Sequence, residues 1–211
     1  VLAEGSRIAA QIIGGEASSF LVEVKGQELS MHDPRGKAAV GLGFAVSEIG
    51  ADHLVSFHDT MFTNPESVSS KGAEPLGITA LPARDLSDAK VSNYFIGENW
   101  SSFEKAAGLC YFGPAPRSFI QVDDIVKMVN SATGWGLSLQ DLLKIGERAT
   151  TLARIFNLRE GFSNSDDRLP ERVFMPLEAG PLAGLGIDRA QFDHALQYLY
   201  SLKDWDEENG F

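Results

Sequence analysis

One cysteine, Cys110, stands in 211 residues. It leaves no internal disulfide framework and no all-cysteine metal or cluster site built from this chain alone. It also fits a reducing, cytoplasmic compartment. Cations are scarce too: 18 Lys and Arg oppose 29 Asp and Glu, a net charge of −11. Such a chain is a poor nucleic-acid binder, because counterion release needs clustered cations that meet phosphate. No apolar run approaches the roughly 18 residues that suggest a membrane span. The richest, Ala38 to Val46, is half glycine and alanine. Internal repeats are absent and strand-like runs are few. The chain opens at Val1 without methionine, and Val1 to Gly14 carries an acid and no cleavage-site pattern, so this stretch is not expected to be a signal peptide. Val1 to Gly14 reads as the inside of a helix, so the 211 residues are expected to come from a longer protein.

What is present suits a globular core: 44% hydrophobic and 22% charged residues are ordinary proportions. Leu2, Ala3, Ile8, Ala9, Ile12 and Ile13 fall on one helical face, and Gly14-Gly15 end it. Phe20 to Val24 is a short strand candidate leading into the turn Asp33-Pro34-Arg35-Gly36. A small-residue helix follows over Lys37 to Ile49, its face of Ala39, Gly43, Val46 and Ser47 flat enough for a backbone or a planar ligand. Residues 63–98 read as a long excursion, with little periodicity beyond Leu86 to Val91. Trp100 to Tyr111 and Gln121 to Ala132 are predicted helical. Ser138 caps a helix with Leu139, Leu142, Leu143, Gly146, Ala149, Leu152, Ala153 and Phe156 on one face. Asp188 with Gln191 resembles a capping box that opens a last helix, with Phe192, Ala195, Leu196 and Leu199 inward. The predicted fold is mainly α-helical, a multihelical domain with few short strands.

Several residues could carry chemistry. His53 and His58 stand in Gly50-Ala51-Asp52-His53-Leu54-Val55-Ser56-Phe57-His58-Asp59, where imidazole can move protons near neutral pH. The bland alternative is a cap at Asp52 plus two ordinary histidines. Their five-residue separation is not the i, i+4 spacing of two zinc ligands on one helix. Cys110 in Gly108-Leu109-Cys110-Tyr111-Phe112 reads by composition as a buried small hydrophobe. Gly41-Leu42-Gly43 and Gly184-Leu185-Gly186 follow no convincing strand, so a dinucleotide fingerprint is rejected. Arg35, Arg159 and Arg172 could hold phosphates or carboxylates, or simply pair with local acids.

In order along the chain, these pieces resemble one family. Asp33-Pro34-Arg35-Gly36, Gly41-Leu42-Gly43-Phe44-Ala45, Gly50-Ala51-Asp52-His53 and Gly108-Leu109-Cys110 are similar to the tungsten-containing aldehyde ferredoxin oxidoreductases. So are Asn157 to Phe162, Asp166-Asp167-Arg168-Leu169-Pro170-Glu171-Arg172, and Tyr200 to Asp206. The resemblance implies an N-terminal β-rich domain followed by two mostly helical ones. Between them lies tungsten (or molybdenum) held by two pterins beside a 4Fe–4S cluster. Residues 1–30 would end the preceding domain and 31–211 form the C-terminal helical domain, with the N-terminal pterin-binding domain and most of the middle domain outside the chain.

It further implies that Cys110 is the fourth cluster ligand, the other three lying outside the chain. His53 would be the catalytic histidine near the tungsten, and Gly108 and Leu109 would border the cofactor. The family often has Asp where Lys105 stands, a pterin-binding position, and a basic residue where Val55 stands. Both departures would weaken pterin contacts or shift them to groups such as His58 and Asp59, with Lys105 kept as a cofactor-binding candidate. Electrons would pass to ferredoxin or a similar carrier, and a homodimer would be compatible. The fragment alone would hold no cofactor and be inactive. A helical interaction domain of a related complex, a stand-alone small-molecule binding module, and a member acting on a substrate such as an aromatic thioester stay open as alternatives.

Overall fold

The computed structural model describes residues 2–206, so Val1 and the Leu2 side chain lie outside the description. Seven α-helices and one two-stranded hairpin are formed among the described residues, confirming the mainly helical reading. Helix α1 spans Gly5–Ile13 and ends at Gly14. Of its apolar face only Ala10 is buried, while Ile12 and Ile13 stand in solvent. The expected strand over Phe20 to Val24 shrinks to β1, Glu23–Val24, paired antiparallel with β2, Gln27–Glu28. Phe20 instead ends a 3-10 turn and is exposed.

Helix α2, Ala38–Val46, is the buried axis of the fold, with all nine residues inaccessible. Leu42 and Phe44 are fully enclosed, each contributing about 2–3 kcal/mol relative to exposure. Its small face meets the protein itself rather than a ligand. Gly41 faces Leu169, Pro34 and Ile187, and Gly43 faces Val55 and Tyr94. Two long-range side chains close its ends. Ala39 and Val40 N–H donate to the Asp59 carboxylate at 3.3 and 3.2 Å. At the other end Lys25 donates to Ala45 O and Ser47 O at 2.7 and 2.9 Å. A carboxylate at the helix N-terminus and an ammonium at its C-terminus both match the macrodipole.

After the short α3, Val68–Ala73, comes α4, Asp88–Ala106, N-capped by Ser87. It begins twelve residues before the expected Trp100 and stops before Tyr111. The cause is its burial pattern: Lys90, Glu98, Asn99, Ser101, Ser102 and Glu104 are all inside, so polar letters interrupt an apolar period. Helix α5, Val122–Thr133, stops at Gly134 as expected. Helix α6, Leu139–Arg159, carries the Ser138–Asp141 capping box and packs along α4. Leu152 and Phe156, expected inward, are exposed and join neither hydrophobic core. Helix α7, Arg189–Leu202, is capped by Asp188 and buries Phe192, Ala195 and Leu199.

Two cores result. One joins α2, the first half of α4 and α7, with Leu169, Val173 and Trp205. The other gathers Phe57, Phe62, Trp100, Phe103, Tyr111, Ile125 and Leu142 around the second half of α4. Lys25, Asp167, Arg154 and Tyr200 form a buried polar knot beside the first: Asp167 accepts from Lys25 at 2.6 Å, from Arg154 at 2.7 Å and from the Tyr200 hydroxyl. No helix is long and apolar enough to cross a membrane among the described residues.

Candidate functional site

The segment between α2 and α3 turns back over the start of α2 and brings three histidines together. His32 lies with its ring centre 4.8 Å from His53 and 4.4 Å from His58, and the latter two are 5.8 Å apart. His58 is buried, whereas His32 and His53 are half-buried. His58 Nε2 donates to the His53 carbonyl at 3.0 Å. Lys37 Nζ reaches His58 Nδ1 at 2.9 Å and His32 Nδ1 at 3.1 Å. A carbonyl can only accept and an ammonium can only donate, so His58 is the neutral tautomer with its proton on Nε2. Burial, reinforced by the Lys37 charge, pushes its pKa down to about 4. The same two causes lower His32. Neither His32 nor Lys37 stands out in sequence, because they flank the Asp33-Pro34-Arg35-Gly36 turn without belonging to it and lie 21 and 16 residues before His53.

Asp59 sits behind the histidines and is fully enclosed. Its carboxylate is occupied by Lys90 at 3.0 Å and by the first turn of α2. Burial raises its pKa, and Lys90 opposes that shift. Val55, where the family often has a cation, is buried, with its methyl 2.7 Å from where a Cβ on Gly43 would lie. A charge at that point would have no water and no partner.

The second component is the end of α4. Gly108 adopts φ +71°, and Gly108 N–H donates to Lys105 O while Leu109 N–H donates to Glu104 O. These are the paired bonds of a Schellman stop, which requires a left-handed residue where glycine stands. Both N–H groups are consumed by the helix end, so Gly108 and Leu109 act by aiming the chain. The chain they aim presents Cys110, whose thiol is free and exposed. Composition expects the opposite for a cysteine among apolar residues. Tyr111 then plunges inward and donates to Ser56 O at 2.6 Å, while Arg117 lies over its ring and donates to its hydroxyl. Lys105 and Asp52 face each other at 3.8 Å. The Cys110 segment is thus tied on both sides to the loop that carries His53.

Glu104, one turn before Gly108, is almost wholly buried and neither carboxyl oxygen has a hydrogen-bond partner. Burial pushes its pKa up to about 8, only partly offset by Trp100, Arg117 and Lys105. Of the arginines, Arg35 pairs with the neighbouring Asp33 at 2.7 Å, the local-acid alternative, and Arg172 lies over the Phe20 ring.

No cluster of three or more His, Cys, Asp or Glu is arranged to hold a metal ion among the described residues. An exposed thiol is nevertheless the donor an iron–sulfur cluster takes, and one such donor on a wall fits a site completed by other chain.

A family model described as aldehyde ferredoxin oxidoreductase, domains 2 and 3, matches residues 1–211. The tungsten-containing aldehyde ferredoxin oxidoreductase of Pyrococcus abyssi is 33% identical over 211 residues, covering 99% of this chain and 32% of that protein. Its counterpart in Thermococcus kodakarensis is 33% identical over 209 residues, 98% of this chain and 31% of the relative. A Pyrococcus furiosus aliphatic sulfonate oxidoreductase, WOR-like subunit, is 26% identical over 217 residues, with 98% and 30% covered. The chain spans about a third of the length of these relatives.

Proposed function

Because the chain belongs to the aldehyde ferredoxin oxidoreductase family, matching its domains 2 and 3, we propose that it forms one wall of the active site of an enzyme that oxidises aldehydes to carboxylic acids. The observation that carries this reading is the Schellman end of α4, which exposes the Cys110 thiol beside the His53 loop. Bound in the complete protein, a tungsten (or molybdenum) bis-pterin supplies two-electron redox chemistry and a 4Fe–4S cluster passes electrons singly to ferredoxin or a similar carrier.

Oxidising an aldehyde with water removes two electrons and two protons and adds one oxygen. His53 is the group of this chain suited to the proton work. Its imidazole is half-buried, and its backbone is held by His58. It would donate to the aldehyde oxygen or accept the released proton. Cys110, as thiolate, would ligate the cluster, with Gly108 and Leu109 fixing its place. Lys105, close to Asp52, would meet an anionic cofactor edge. His58 and Asp59 would support the wall from behind. Since the chain supplies one thiolate, the 211 residues alone would be inactive.

In the full-length enzyme, His53→Ala should lower turnover sharply while metal content stays nearly unchanged, and Cys110→Ala should lose most of the iron. An equally active His53→Ala together with an iron-replete Cys110→Ala would overturn the assignment. A non-aldehyde substrate is the second reading, favoured by Lys105 and Val55 where the resemblance implies Asp and a cation. Turnover of an aromatic thioester but of no aldehyde would select it.

A further inference from the structure

We propose that Lys37 is a specificity residue that holds an anionic group, a carboxylate or similar oxyanion, carried by the substrate at the end remote from its reacting carbonyl. The proposal deepens the reading of this wall as part of an aldehyde-oxidising site and rests on it. Lys37 is half-buried, and its hydrogen-bond partners are two imidazole Nδ1 atoms. An ammonium has three N–H donors, so one remains. No carboxylate lies within ion-pair distance of it among the described residues: Asp59 is committed to Lys90 and the α2 N-terminus, and Asp52 faces Lys105.

A second cation lies near enough to act on the same groups. The Arg117 charge acts on His32, on His58 and on Lys37, where the attraction of the more distant, already paired Asp59 opposes it, and Arg117 has a buried Nε without a partner. Glu104, which faces Arg117, is held largely protonated at neutral pH and supplies little counter-charge. Lys90 is paired with Asp59 and Lys105 with Asp52, which leaves Lys37 and Arg117 with no carboxylate at ion-pair distance among the described residues, a local surplus of positive charge. It occurs in a chain whose net charge is −11. A partly desolvated cation is costly unless an anion meets it. With both neighbouring histidines accepting from the ammonium, the anion has to come from outside the described residues.

Three sources share that chemistry: the substrate, the pterin phosphate, and a carboxylate of the rest of the protein. The test uses full-length metal-loaded enzyme, wild type, Lys37→Met and Lys37→Arg. Two aldehydes of equal length are compared, butyraldehyde and succinic semialdehyde, and binding of butyrate and succinate is followed by calorimetry. Wild type should favour the charged aldehyde at least tenfold in kcat/KM. Lys37→Met should reduce that ratio at least tenfold, mainly through KM, and weaken succinate binding more than butyrate binding. Lys37→Arg should restore most of both.

An unchanged ratio in Lys37→Met overturns the proposal. So does loss of tungsten or pterin phosphorus from that variant, which would give the ammonium to the cofactor, and so does a wild type indifferent to the second charge. If the loaded enzyme oxidises neither aldehyde, the aldehyde reading itself fails. Succinate binding then decides for Lys37 separately: Lys37-dependent binding upholds the anion site, and its absence removes it.

Discussion

Lys25 Nζ lies 2.6 Å from Asp167 Oδ1 across 142 residues of chain, and both side chains are essentially inaccessible. The same ammonium donates to the last carbonyls of α2, and the same carboxylate accepts from Arg154 and Tyr200. One contact therefore fastens the segment before residue 30 to the C-terminal helices and closes the axial helix. The polar motif Asp166 to Arg172 and the Tyr200 to Asp206 stretch, which carry much of the family likeness, meet here rather than at the histidines.

Removing the carboxylate takes the charged partner away from buried Lys25 and one of the partners away from Arg154. Asp167→Asn should destabilise the protein by about 3–5 kcal/mol in denaturant unfolding, the usual cost of breaking a buried pair from one side. A double variant with Lys25→Met should cost less than the sum of the single losses, since the lysine no longer lacks its partner. Strict additivity would mean that the two charges do not sense each other.

Gly146 is where α6 crosses α4. A Cβ there would fall 1.8 Å from Asn99 O and 2.9 Å from Phe103 N. Backbone atoms inside a helix cannot swing aside, so the helices must separate and disturb the packing of Trp100 and Leu142. Gly146→Ala should cost at least about 3 kcal/mol, although alanine is the better helix former. A thermal midpoint at or above that of wild type would show that the close crossing is not formed in solution.

Legibility in the sequence followed burial chemistry. Helices α5 and α7 were readable because one face is apolar and their caps, Gly134 and Asp188, are unambiguous. The first half of α4 was not, because its buried side includes Lys90, Glu98 and Asn99, each of which resembles a surface residue by type. Lys90 pairs with Asp59 and Glu98 with Lys203, partners 31 and 105 residues away that no local window contains. The site shows the same division. His53, His58 and Cys110 were legible from motif order, whereas His32, Lys37 and Arg117 enter only through the fold. The exposure of Cys110 likewise depends on the Gly108 stop, where residue composition alone points to burial.

His58 should titrate near pH 4 by NMR, far below an ordinary imidazole at 6.5, with the Nε2–H tautomer throughout the neutral range. Its folded pKa is depressed, so the folded state binds fewer protons than the unfolded chain between these values. The stability linked to His58 is therefore present above about pH 6.5 and lost as pH falls toward 4, up to about 3 kcal/mol. Lys37→Met removes one cause of the depression, so the His58 pKa should rise. A His58 pKa that stays put in that variant would leave burial as its whole cause.

Glu104 should produce the opposite slope. Its folded pKa, about 8 against an ordinary 4.5, is raised because burial strips water from the carboxyl, an effect that Trp100, Arg117 and Lys105 offset only in part. The folded state then holds a proton that the unfolded chain has released, and this proton's contribution is complete only below about pH 4.5. It is lost progressively as pH rises toward 8, by which point the protein carries a penalty on the order of a few kcal/mol. Glu104→Gln keeps the shape of the protonated side chain and cannot ionise. The variant should match wild type near pH 4.5 and become increasingly more stable than it between pH 5 and 9 in parallel denaturant melts. A constant difference across that range would mean that Glu104 ionises in the folded protein as readily as in the unfolded one, with water or a cation reaching it beside Arg117.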